Sequence, residues 1–289
     1  MRILQSVAVL VIAAGALVVG QGPEAVRVLN EMRAALGGDT LAAVKTLAIN
    51  GRSARSVGQF QLAGEFEILC ELPDKYVKKE TISMGASSTV NTLGFNGDTL
   101  IQENAGGPMT MNHGGATMII RTSPGFAGPG AQLTPEQQTA MRATQLRAAK
   151  SEFSRLMVAL FGASFSGNPV EFSYEGQAEA PEGKADVIGI KGAGEFAAKL
   201  FVDGKTRRPL MLSWKAPGPQ IRTSGGGGEV STSDVPQVVE HRLYLSEYRD
   251  VDGVKLPHQL IRSIDGNTTE EITFEKFRLN TKIDEKKFR

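Results

Sequence analysis

Met109, Met111, His113 and Met118 lie close together, and three thioethers with an imidazole form a donor set suited to a soft ion such as Cu(I). Their spacing matches no established metal pattern, and the surrounding glycines mark a loop that carries methionines incidentally. Cys70 could act as a thiol nucleophile, but no histidine pairs with it in the sequence, and it falls on the apolar side of its segment. Glu65, Glu67 and Glu71 could work as acid and base, yet charges on the wet face of an amphipathic strand ordinarily face solvent. His241 and His258 each stand alone on a predicted strand, without a second histidine at helical or strand spacing. Gly189, Gly192 and Gly194 have the wrong spacing for a phosphate loop, and strands flank them on both sides. Ser164 and Ser166, between Gly162 and Gly167, do not have the spacing of a nucleophile elbow. The chemistry-bearing residues thus predict no catalytic set, no metal and no cofactor, and the protein is not expected to be an enzyme.

The elements that would position any site are easier to read. Val26, Leu29, Met32, Ala35 and Leu36 recur at helical spacing from Pro23 until Gly37-Gly38 ends the run. A short helical piece, Thr40 to Val44, leads into a strand from about Lys45 to Ser56. The strongest signal is Gly58 to Leu72. There Phe60, Leu62, Phe66, Ile68, Cys70 and Leu72 hold the even positions and polar residues hold most odd ones, softened by Ala63 and Leu69. A period of two over this length predicts a long strand with one apolar face, as in an antiparallel sheet. The pattern returns in Lys75 to Ser83, Ser88 to Phe95 and Thr99 to Gln102, with Asn96-Gly97-Asp98 as a hairpin turn. From Ala105 to Leu133, seven glycines and three prolines leave no readable period.

Thr134-Pro135-Glu136 opens a helix with a cap, a proline at the first position and an acidic first turn. It runs to Phe161 with an apolar end of Phe153, Leu156, Met157, Leu160 and Phe161, which must lie against the sheet. Further strands follow in Val170 to Glu175, Ala185 to Lys191, Glu195 to Val202, Pro209 to Lys215, Val238 to Arg249, Val254 to Ile264 and Thr269 to Leu279. A second loop, Ala216 to Val235, carries Gly225 to Gly228 in a row. About eleven strands, two helical regions and no βαβ unit predict a mainly β, α+β fold built on an antiparallel sheet.

Residues 1–20 read as a cleavable export signal: Met1 and Arg2, an apolar core from Val7 to Val19, and small residues at a cleavage point after Gly20. That core is short for a bilayer span, which takes about 20 apolar residues, although an uncleaved N-terminal anchor is the rival reading. Residues 21–289 then form one periplasmic domain without a transmembrane segment. The chain has 32 basic and 31 acidic residues, and losing Arg2 brings the balance to zero. Such a balance gives no basic stripe for nucleic acid. With Cys70 alone, stability must come from the core and not from an internal disulfide.

The order of helix, meander, helical insertion and closing strands resembles the bacterial outer-membrane lipoprotein carrier (LolA/LolB-like) superfamily and its lipoprotein-sorting relatives. The resemblance lies in the run from Tyr248 to Pro257, in Leu200-Phe201-Val202-Asp203, and in Pro209-Leu210 before Trp214. It implies an incomplete, strongly curved antiparallel barrel whose helices cover an apolar cavity that receives acyl chains. It would place Phe60, Leu62, Phe66, Ile68 and Leu72 on the concave wall, with Leu156, Met157 and Leu160 on a covering helix. Burying about sixteen methylenes at about 0.8 kcal/mol each supplies on the order of 10 kcal/mol before ordering costs. The leading expectation is a periplasmic carrier of a lipid or acyl chain. The alternatives are a cell-envelope interaction module with a filled core and a protein partner, and an unrecognised hydrolase with a site assembled from distant strands.

Overall fold

The computed structural model describes residues 22–57, 60–84, 87–105, 109–113, 116–120, 134–180, 183–218, 223–224 and 237–289. Residues 1–21, which carry the export reading, lie outside them. No helix among the described residues is long and apolar enough to cross a membrane.

Helix α1 (Pro23–Leu36) starts with proline, carries Glu24 in its first turn and Arg33 in its last, and stops at Gly37, whose φ is 142°. Its stripe of Ala25, Val28, Leu29, Met32 and Leu36 is buried. After the short α2 (Asp39–Ala42) a meander runs through β1 (Thr46–Val57), β2 (Phe60–Glu71), β3 (Lys75–Met84), β4 (Ser87–Asn96) and β5 (Thr99–Ala105). The stretch read as a periodless loop contains two short strands, β6 (Met109–His113) and β7 (Ala116–Ile120). Helix α3 (Pro135–Phe161) is opened by a reciprocal cap between Thr134 and Gln137 and closed by Gly162 in the left-handed conformation. Arg33 of α1 reaches across and donates to the Gly162 carbonyl at 2.6 and 3.1 Å, so a cation ties the C-terminus of α3 to α1.

The second half supplies β8 (Val170–Ala180), β9 (Gly183–Gly192), β10 (Ala197–Asp203), β11 (Pro209–Pro217), β12 (Thr223–Ser224), β13 (Val238–Val251), β14 (Val254–Ile264) and β15 (Asn267–Leu279). Twelve strands form one antiparallel sheet in the order β5-β4-β3-β2-β1-β15-β14-β13-β11-β10-β9-β8, and each range read as a strand is represented in it. The first and last long strands pair, so the two meanders join at β1 and β15, while β5 and β8 are left as edges. The remaining three strands make a small sheet, β12-β7-β6, so parts of both glycine-rich loops pair with each other. Periodicity could not announce these strands because backbone pairing requires no amphipathic pattern.

The large sheet is strongly curled, and two contacts of α3 establish this. Glu152 bonds to Lys78 on β3, and Arg155, less than one turn further on, stacks over Trp214 on β11. Those strands are six places apart in the sheet, which would be about 29 Å at roughly 4.8 Å per strand if the sheet were flat. Residues three apart on a helix rise only about 4.5 Å, so the sheet wraps around α3. Irregular pairings at Asn50/Gly51, Arg262/Ser263 and Tyr174/Gly176 supply local bends. Helix coverage is modest and consists mainly of α3 and α1.

The outer face has its own small core of Ala48, Leu69, Val77 and Ile101, capped by Phe288 from the C-terminal turn Glu285–Phe288. Asn96 donates to the Phe288 carbonyl at 3.2 Å. Leu69, which interrupts the alternation of β2, is buried because this tail covers it.

Candidate functional site on the inner face

Strand register fixes which residues line the inner face. Leu47, Ile49, Gly51, Ser53 and Arg55 of β1 stand beside Cys70, Ile68, Phe66, Gly64 and Leu62 of β2. Tyr76, Lys78, Glu80 and Ile82 continue the same face on β3, and Phe277, Phe274, Ile272 and Glu270 continue it on β15. The face therefore has two ends of different character.

At one end the side chains are packed together. Phe66 and Ile68 are buried, as are Met157 and Leu160 of α3, and all four belong to one core cluster that includes Leu29 and Met32 of α1. Phe66 meets Phe274 edge to face at 5.8 Å, and Gly51 lies under its ring, where a Cβ would stand 2.5 Å from Phe66 Cζ. Leu62 is buried on the inner face, while Leu72 and Leu156 are half-buried against the core. The Phe60 side chain lies outside the described residues, as do the side chains of Met109, Met111, His113 and Met118. Cys70 is fully buried, and burial pushes its thiol well up, as for an inert core cysteine.

At the other end the inner face carries charge. Arg55 donates through Nη2 to Glu80 Oε1 at 2.8 Å, and through Nε and Nη2 to Glu270 Oε1 at 3.0 and 2.8 Å. Arg262 Nε lies 3.5 Å from Glu270 Oε2, too poorly aligned for a hydrogen bond. Lys78 donates to Glu152 Oε1 at 3.1 Å. The Arg155 guanidinium lies 4.6 Å over the Trp214 ring and 5.5 Å over Phe196, and Trp214 stacks on His241 at 5.4 Å. Solvent reaches this end, since the side chains of Arg262, Arg55 and Glu152 are 34, 30 and 35 % exposed.

The electrostatics follow from this crowding. Burial acts to raise the Glu270 carboxyl, but Arg262, Arg55 and Lys78 outweigh it and hold the group below its ordinary value. Glu152 is likewise raised by burial and brought lower by Lys78, Arg262 and Arg155. Burial and the like charge of Arg262 pull Arg155 down to about 10, against the opposing pull of Glu152. Burial first, then Arg262 and Arg155, also lower His241. The two carboxylates contribute stability that is full above their unfolded values, near 4.3, and lost as pH falls through their folded values. His241 is protonated more readily when unfolded, so its contribution falls in the same direction, starting near pH 6.5. Urea unfolding midpoints should therefore decline from about pH 6.5 and fall more steeply below about pH 4.3. A midpoint that rises on acidification would contradict these assignments.

The seven charged side chains of this end were not foreseen, although their parity was readable. Arg55 follows Leu47 and Ile49 in the inward register of β1, and Lys78 and Glu80 lie between Tyr76 and Ile82 on β3. A cleft of about 170 Å³ lies on the outer face among Glu67, Lys79, Glu103, Lys286, Lys287 and Arg289. Its charges are mixed, and it is shaped by the C-terminal tail.

Three solved structures are similar to the chain over most of their length. A LolA superfamily protein from Nitrosomonas europaea overlays with a TM-score of 0.49 at 10% identity, covering 91% of this chain and 96% of that one. The chain resembles the LolA-like proteins. A DUF1329 family protein from Desulfovibrio piger gives 0.46 at 10% identity, over 93% and 98% of the two chains. A putative outer membrane lipoprotein-sorting protein domain from Vibrio parahaemolyticus gives 0.44 at 9% identity, over 92% and 96%. No protein-family model matches the chain, and no curated protein matches it. What this sheet binds must be read from its own inner face.

Proposed function

We propose that this protein is an exported, non-catalytic carrier that holds the apolar part of a lipid between α3 and the inner face of the curled sheet. The observation that carries the reading is the division of that face. One end is sealed by packed aromatic and aliphatic side chains, while the other keeps partly exposed apolar residues, Leu93, Leu156 and Ile272, beside a solvated charged group. An apolar surface that stays accessible inside a concave sheet is favourable to cover, at roughly 25 cal/mol per Å². The wall expected from sequence, Leu62, Phe66, Ile68, Leu72, Leu156, Met157 and Leu160 with Phe60, then divides by role. Leu156 would meet ligand, while the buried Leu62, Phe66, Ile68, Met157 and Leu160 form the floor.

The carboxylates support a non-catalytic reading. Glu80, Glu152 and Glu270 are each held by a cation, and the shifts of Glu152 and Glu270 run downward, whereas a general acid needs a raised value. The single domain, the periplasmic location and release of the first 20 residues belong to the same proposal.

Binding of a fluorescent fatty acid to the purified protein, with mass spectrometry of co-purified lipid, tests the reading. Saturable binding is expected, with a loss of at least tenfold in a folded Leu156→Glu variant. A folded wild type that binds no lipid and carries none would overturn it. In that case the packed floor and the small β12-β7-β6 sheet favour the second reading, an envelope module that recognises a protein partner.

A further inference from the structure

The charged end of the inner face is not balanced. Lys78, Arg55, Arg155 and Arg262 face Glu80, Glu152 and Glu270, which leaves one positive charge in excess among the described residues. The pairing locates the excess. Lys78 has Glu152, Arg55 has Glu80 and Glu270, and Arg262 shares Glu270, but no described carboxylate lies within 4 Å of Arg155. Arg155 Nε is buried and lacks a hydrogen-bond partner. Trp214 and Phe196 attract the guanidinium through their faces, yet a ring face does not satisfy the N–H groups in the plane of the guanidinium. A buried donor left this way is destabilising, the more so when charged, unless something else accepts from it.

The surroundings fit an anion with an apolar tail. Leu156 follows Arg155 on α3, Leu93 pairs with Lys78 across β3 and β4, and Ile272 lies two residues from Glu270 on the same face. All three are half-buried. From the uncompensated arginine and these neighbours, we infer that the site takes an amphiphile with a single negative charge at its head, a carboxylate or a phosphodiester, which accepts from Arg155. A single charge restores neutrality, whereas a doubly charged phosphate monoester would leave an excess of the opposite sign beside Glu152 and Glu270. This inference rests on the carrier reading and adds to it a head group and an orientation.

Titrating the purified protein below micellar concentrations with palmitate, lysophosphatidylglycerol, hexadecanol and hexadecyl phosphate separates the two claims. At least one of the two monoanions should bind tenfold or more tighter than hexadecanol and tighter than the dianion, and whichever does so identifies the source of the charge. Arg155→Gln should bring the affinity ratio of that monoanion to hexadecanol within about twofold, and Arg155→Lys should retain most of it. Circular dichroism and a urea midpoint would confirm that both variants fold. Equal binding of hexadecanol and both monoanions by wild type would overturn the head-group assignment while leaving the carrier reading standing. So would a preference that survives Arg155→Gln. Binding of none of the four would overturn the carrier reading and this inference together.

Discussion

Glu270→Ala should cost the fold about 3–5 kcal/mol, the usual effect of removing one partner from a buried ion pair. The carboxylate is 4 % exposed, receives two hydrogen bonds from Arg55 and stands 3.5 Å from Arg262. Its loss would leave two arginines close together in a concave interior, with Glu80 as the remaining acceptor for Arg55. The charge of Lys78, which also acts on Glu270, would add to the repulsion. Arg52 and Glu275 provide the internal control, because they pair on the outside with side chains 67 and 41 % exposed. Glu275→Ala should change stability by no more than about 1 kcal/mol, since exposed pairs are screened and lose side-chain entropy on forming. Urea unfolding of both variants at neutral pH makes the comparison. If Glu270→Ala shifts the midpoint no further than Glu275→Ala, the inner charges are solvated individually and the network is not a unit.

Most of the sheet was legible because its strands are half-buried and alternate. In β2 the even residues from Leu62 to Cys70 are inward and buried, with Glu65 and Gln61 exposed on the other side. Helices α1 and α3 were equally readable from their caps, Pro23 with Gly37 and Thr134-Pro135 with Gly162. What failed to show had specific causes. The pairing of β1 with β15 links residues more than two hundred positions apart, and no local pattern encodes a partner at that distance. Strands β6, β7 and β12 are only five, five and two residues long, too short for a period to be read. The proposed binding wall was legible only as apolar residues, and periodicity cannot distinguish a residue packed against a helix from one facing a cavity. Phe66 and Leu156 were read alike, yet one is under a ring contact and the other is half-exposed. The charged end was missed because a lysine or glutamate on a strand is read by default as facing solvent. Here it is the inward register of Lys78, Glu80 and Glu270 that decides, and register is a property of the assembled sheet.

That assembly depends on how α3 is seated, and Phe153 should prove its most sensitive residue. Its ring meets Phe95 edge to face at 5.4 Å, Tyr76 at 5.9 Å and Phe165 at 6.2 Å, so it joins the helix to β3, to β4 and to the segment leading into β8. Asn168 reinforces the same junction by donating to the Lys150 carbonyl at 3.2 Å and to Ser154 Oγ at 2.7 Å. Phe153→Ala should cost about 3–5 kcal/mol, from lost apolar burial and from the void among three rings that cannot collapse together. Phe153→Leu retains most of the volume and should cost about 1–2 kcal/mol. Because Glu152 and Arg155 flank Phe153 on the helix, the alanine variant should also weaken amphiphile binding by displacing both charges. Hydrogen exchange identifies the mechanism alongside the urea midpoints. Loss of protection confined to α3 would mean that the helix is a separable cover, as a carrier that loads and releases cargo requires. Loss that extends to β3 and β4 would mean that helix and sheet open only together. A cost below about 1 kcal/mol for Phe153→Ala would refute the keystone assignment itself, because a ring fully buried among three others cannot be removed so cheaply from a rigid core.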